Sequence, residues 1–154
     1  MTKFTKLNNE ENMIEVIRQA TNLDFKCNIS GGWGYKKDDT TIINSTNEYD
    51  IDGFELLLCT IRANIEMNIT LDENSRYVSI APTLLSQEIK TNGDDTYHCN
   101  NYTIEAVKEL DFKRLSKEYK ENYGKESFDM IKHFKQREEC KISIKTTYWF
   151  KVAI

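Results

Sequence analysis

The residues of this chain best suited to chemistry lie in three places. The first is the run Gly31-Gly32-Trp33-Gly34-Tyr35-Lys36-Lys37, which holds three of the six glycines. Glycines permit positive φ and let backbone N–H groups converge on an anion. Lys36 and Lys37 could neutralise a phosphate, and Trp33 or Tyr35 could stack on a base. Gly31, Gly32, Trp33, Gly34, Tyr35, Lys36 and Lys37 are therefore the expected ligand- or partner-binding set. The run is not a G-x-x-x-x-G-K-[ST] loop. It opens no expected helix, so the helix dipole that phosphate loops exploit is missing. The plainer alternative is a hairpin loop with Trp33 folded back onto the core. An interaction surface here requires a largely exposed Trp33.

The second place is the acidic stretch Glu48-x-Asp50-x-Asp52-Gly53, which begins like a calcium loop. Glu55 then stands where that template wants an apolar residue, and Cys59 where it wants a bidentate carboxylate. The segment is also expected to run into a strand, whereas a calcium loop runs into a helix. These acids read as solvated turn residues. Asp38, Asp39, Asp50, Asp52, Glu55 and Glu66 could still meet at one end of a sheet, to hold Mg²⁺ or act as general acid and base. With 25 acids in 154 residues, such clustering is expected by chance.

The third place is the thin supply of histidine and cysteine. His98 and Cys99 are adjacent, so on a strand they face opposite ways. His133 falls mid-helix. Cys27, Cys59, Cys99 and Cys140 form no C-x-x-C pair, and zinc sites bring their ligands in tight pairs. No metal, cofactor or catalytic residue is expected. All four cysteines read as reduced thiols, with Cys59 in the core. The basic residues from Lys113 to Arg137 alternate with Glu118, Glu121, Glu126, Glu138 and Glu139, which describes a solvated helical face.

The elements that must position these residues follow from periodicity. Residues 8–22 predict an amphipathic helix through Met13, Val16, Ile17, Ala20 and Leu23, capped by Asn8 or Asn9. Phe25–Ser30 and Thr40–Asn44 predict two short strands. From Leu57 to Leu71 every odd position is apolar, which predicts a long strand with Arg62 and Glu66 on its polar face. Tyr77–Ala81 predicts another strand, with Pro82 breaking it or placing it at a sheet edge. Leu84–Lys90 is ambiguous. Asn92-Gly93-Asp94-Asp95 predicts a hairpin turn, followed by a strand over Thr96–Val107 whose later half could be helix. Phe112, Leu115, Tyr119 and Tyr123 form a helical stripe that ends at Gly124. A second helix is expected over Ser127–Glu138, with Phe128, Ile131 and Phe134 inward. Alternation from Ile142 to Ile154 predicts a C-terminal strand inside the sheet.

Together these elements predict a single α+β domain over residues 1–154. It is a mainly antiparallel twisted sheet of about five to six strands, with an N-terminal helix and two helices before the C-terminal strand. The net charge of −4 argues against a general attraction to nucleic acid or anionic membrane. No apolar run approaches a membrane span, and no secretory leader opens the sequence, so a cytoplasmic setting is expected. The function expected first is a non-catalytic interaction protein of a bacterial-type cytoplasm: a regulator, inhibitor or immunity-like partner. Its partner would be a protein, with a homodimer through an edge strand also open. The alternatives are a binder of a nucleotide or other small anion at residues 31–37, and a metal-assisted hydrolase using carboxylates near residues 38–55.

Overall fold

β-Branched and aromatic residues from Tyr77 onward build the frame. β3 (Tyr77–Asn92) and β4 (Asp95–Lys108) form a long antiparallel hairpin. Its turn is Gly93-Asp94, with Gly93 at φ 64°, the left-handed conformation such tight turns require. The ambiguous Leu84–Lys90 is strand, and the strand after the turn stays strand to Lys108. β5 (Lys141–Val152) pairs antiparallel with the other side of β4. β2 (Thr41–Ile43) runs parallel to the last residues of β5, and β1 (Ile29–Gly31) closes antiparallel on β2. The strand order is β1-β2-β5-β4-β3. This is the expected α+β architecture, with the C-terminal strand inside the sheet and the Pro82 strand at its edge. The computed structural model describes residues 6–8, 10–69 and 71–154.

Alternate residues of β4 and β5 (Tyr102, Ile104, Ala106, Tyr148, Phe150) form one apolar face. They share a buried cluster with Met13 and Ile17 of α1 (Met13–Thr21) and with Phe54, Leu58 and Ile61 of α2 (Ile51–Asn64). The cap of α1 is Asn12, whose side chain accepts from Glu15 N at 3.2 Å. Asn8 lies four residues earlier, and Asn9 lies outside the described residues. Phe25–Asn28 is a turn and not a strand. Asn28 N donates to Phe25 O at 2.9 Å, so strand pairing begins only at Ile29.

The principal correction falls on 57–71. Ile51–Asn64 is α-helix, continued by one π-helical stretch over Ile65–Ile69. The helix is wrapped by protein on more than one face. The row Phe54–Leu58–Ile61–Ile65 is buried, and beside it so are Glu55, Cys59, Arg62, Ala63 and Met67. Two adjacent helical rows fill with apolar residues at both parities, and this imitates an alternation of period two. The polar residues that looked like a wet strand face include Arg62, which is buried.

α3 (Glu109–Asn122) and α4 (Met130–Glu139) form the second helical layer. Leu115 is buried, and Gly124, at φ 84°, turns the chain after α3. The inward face expected for α4 is wrong by a residue. Ile131 is 85% exposed and Phe134 is also exposed, whereas His133 is buried. His133 can take that place because both ring nitrogens are bonded. Nδ1 faces Glu118 Oε1 at 3.2 Å, and Nε2 accepts from Arg137 Nε at 2.8 Å.

Candidate functional site

The acidic stretch runs into a helix and not a strand, and its residues start that helix. Asp50 is the N-cap of α2; its Oδ1 accepts from Gly53 N at 2.7 Å. A Cβ on Gly53 would sit 2.7 Å from that same oxygen, so a larger residue there would make the Asp50 carboxylate shift.

One turn further, α2 carries Glu55 down onto the sheet, where it is fully buried. A buried carboxylate must find donors or stay protonated. Here the donors come from β3 and β4. His98 Nδ1 lies 2.9 Å from Glu55 Oε2, and Asn100 Nδ2 donates to Oε1 at 3.1 Å. Gln87 Nε2 donates to Asn100 Oδ1 at 3.0 Å and reaches Glu55 Oε1 at 3.3 Å. Asn100 Nδ2 also donates to Tyr102 Oη at 2.9 Å. Burial still outweighs these donors and holds the Glu55 carboxyl above the usual carboxylate range. The network ties the edge strand, through Gln87, to α2 and to the centre of the sheet.

Beside this network α2 and β3 diverge to leave a groove of about 450 Å³. One wall is Asp50, Asp52, Gly53 and Leu56. The other is Pro82, Thr83 and Leu84, and Asn100 and Tyr102 also line it. Along the outer rim β3 is open, since no strand among the described residues pairs beyond it. Leu84 is 42% exposed, Leu85 54% and Ile89 62%. Leu85 is the unpaired residue at a register shift between Leu84 and Ser86, where a bulge bends the strand. Long flat edges are normally blunted by charge, proline or cover. This one carries Pro82 at one end and the paired charges Glu88 and Lys90, 3.4 Å apart, toward the other.

The Gly-rich run lies on the opposite side of the sheet order and is bound into the core. Trp33 is 1% exposed, so the expected exposed indole is not found. Gly31 and Gly34 have φ of 88° and 78°, and a Cβ on Gly34 would overlap the Tyr148 ring. Trp149 N donates to Gly34 O at 2.7 Å, and Thr41 Oγ1 donates to Gly32 O at 2.6 Å. Tyr35 is half-buried, and its hydroxyl accepts from Leu7 N at 2.9 Å. Lys36 and Lys37 remain exposed. Lys37 leans over the Tyr97 ring, its Nζ 5.1 Å from the centroid, beside a groove of about 420 Å³ that also touches Gly31, Gly32, Asp38, Asp39 and Lys151.

What locks this run is Arg62, 1% exposed. It donates to Trp33 O at 2.9 Å, to Thr147 O at 2.9 Å and to Thr146 Oγ1 at 3.0 Å. Its guanidinium lies 4.0 Å from the Tyr148 centroid and 4.4 Å from that of Tyr35. Glu66 stands 3.6 Å from its Nε. The geometry is that of a staple between loop, helix and sheet.

The carboxylates considered for metal chemistry are spread over separate elements. No three His, Cys, Asp or Glu side chains among the described residues are grouped to hold a metal ion. Cys59 is buried in α2, where desolvation pushes its thiol up to about 12. No helix among the described residues is long and apolar enough to cross a membrane. Sequence reasoning missed the Glu55–His98–Asn100–Gln87 network because it placed Glu55 in a turn. The one available signal was the Asp50-x-x-Gly53 capping pattern. Comparisons with protein-family models, with curated proteins and with solved structures found no match to this chain.

Proposed function

We propose that this is a non-catalytic interaction protein whose partner adds an extended strand to the open edge of β3. The observation that carries the reading is that edge itself: a strand of 16 residues, unpaired on one side among the described residues, with Leu84, Leu85 and Ile89 exposed along it. Strand addition draws affinity from backbone hydrogen bonds and specificity from pockets that receive alternate side chains. The groove between α2 and β3 is such a pocket, placed where an added strand would pass Pro82–Leu84. The Glu55 network fixes β3 against α2, so the edge is held ready and does not have to be ordered on binding.

The test is selection of linear peptides from a display library. A selected peptide should bind the wild type, lose binding when alternate backbone nitrogens are methylated, and weaken roughly tenfold or more on Ile89→Lys. A selection whose peptides are indifferent to both changes removes the reading.

The groove beside Gly31 and Gly32 favours a second reading, a small anionic ligand held by Lys37 and Lys151 with the Tyr97 ring as its platform. Two carboxylates, Asp38 and Asp39, line the same groove and oppose an anion, so this reading ranks second. Thermal-shift screening with nucleotides and phosphate tests it. Stabilisation that Lys37→Ala abolishes would promote it, and no stabilisation would end it.

A further inference from the structure

We infer that a cavity between the sheet and the α3–α4 layer binds a small aryl carboxylate of benzoate size, with Arg137 receiving the carboxylate. The cavity is separate from the open stretch Leu84–Ile89 and goes beyond the strand-addition reading. Val107 lies on the face of β4 opposite Ala106, away from the core cluster shared with α1 and α2. Its partners across the sheet are Val78 of β3 and Lys141 of β5, which share that face. α3 follows β4 directly and brings Phe112 and Leu115, one turn apart, to the same place. With Ser79, Arg137 and Lys141 these residues enclose about 120 Å³. That is close to the roughly 150 Å³ in which one benzene ring is held.

Apolar walls with a few fixed polar groups are the usual make-up of a small-molecule site, and here Val107 and Leu115 are buried walls. Arg137 is held in one orientation. Its Nε donates to His133 Nε2 at 2.8 Å, and its guanidinium carbon lies 5.7 Å from the Tyr119 centroid and 5.8 Å from that of Phe134. Glu118 Oε1, 3.2 Å from Nδ1, fixes His133 in turn. The two terminal nitrogens of Arg137 have no acceptor among the described residues. Such a planar fork matches the two oxygens of a carboxylate. Lys141 is engaged by Glu138 at 2.8 Å, which leaves Arg137 as the cation for a ligand. No carboxylate among the described residues lines this cavity, in contrast to the groove beside Lys37. Ser79 adds an independent mark. With Ile80 it forms a bulge opposite Ala106, and it sits at φ 54°, a conformation costly for a residue with a side chain. Backbone strain of this kind collects at ligand sites, and the serine brings a hydroxyl donor to the wall.

Ligand-observed NMR titration of the full chain with benzoate tests this. Benzoate should bind with a Kd between about 10 μM and 1 mM. Acetate lacks the ring and benzyl alcohol lacks the charge, so each should bind roughly tenfold or more weakly than benzoate. Arg137→Gln should erase the preference for benzoate over benzyl alcohol while changing the affinity for benzyl alcohol by less than about twofold. Val107→Phe fills the cavity and should abolish binding of both. Circular dichroism confirms that each variant is folded.

No saturation by benzoate up to about 10 mM overturns the inference. Benzoate binding that survives Val107→Phe places the ligand elsewhere and overturns it too. An Arg137→Gln variant that keeps the full preference for benzoate shows that the fork is not used. One that loses both ligands equally shows that Arg137 only props the cavity open. Either result overturns the inference, whereas loss of the preference with benzyl alcohol still bound supports it.

Discussion

Replacing Arg62 with alanine should be among the most damaging single changes in the protein, although Arg62 touches no proposed partner. The side chain is 1% exposed and donates to two backbone carbonyls, Trp33 O and Thr147 O. Each carbonyl left buried without a donor costs about 1–3 kcal/mol. Breaking a buried ion pair by removing one partner costs about 3–5 kcal/mol, because the other charge is stranded. These contributions overlap, since the same cage relaxes around all of them, so a loss of about 4 kcal/mol is expected. Against a typical total of about 5–15 kcal/mol that is a large share. Urea unfolding followed by tryptophan fluorescence reads it directly, since Trp33 is held by Arg62. The midpoint should fall by about 2 M for a slope near 2 kcal/mol/M. In a Glu66→Gln background the cost should be smaller, because no stranded carboxylate remains. A loss below about 1 kcal/mol would show that water already satisfies the cage and would refute the staple.

Other outcomes follow from the same geometry. Glu66, 3.6 Å from Arg62, is nevertheless held above the ordinary carboxylate value of 4.5, because burial outweighs the attraction. The folded state therefore keeps that proton longer than the unfolded state does. The associated stability is complete below 4.5 and is lost as pH rises through the raised value. Urea midpoints measured from acid to neutral pH should show the wild type losing ground to Glu66→Gln as pH rises; a wild type that gains ground would contradict the sign. Thiol labelling of the native protein should modify the exposed Cys27 readily and leave Cys59 untouched until the protein unfolds. Rapid modification of Cys59 in native buffer would mean that α2 opens locally.

The sheet was legible in the sequence where one face of a strand is wet. β4 and β5 alternate because half their residues meet solvent or helices and half meet the core, and Gly93-Asp94 announces its own turn. α2 was not legible, because a helix buried on most of its circumference has no polar stripe to reveal its period. Its two buried polar residues, Glu55 and Arg62, made this worse, since each is compensated by partners far away in the chain: His98 and Asn100 for one, Trp33 and Thr147 for the other. His133 misled in the same way on α4. The Gly-rich run was conspicuous, yet its conspicuous residues answer packing needs at Tyr148 and Thr40. The open edge was half legible. Pro82 marked an edge strand, but only the strand order shows which apolar residues lie along it.

Amide hydrogen exchange across β3, with and without a selected peptide, tests strand addition most directly. Pairing on the open edge should slow exchange within residues 84–92, while β1, β2 and the Gly31–Lys37 run keep their free-state rates. Protection confined to Gly31–Lys37, or absent from β3 while the peptide is bound, would contradict it.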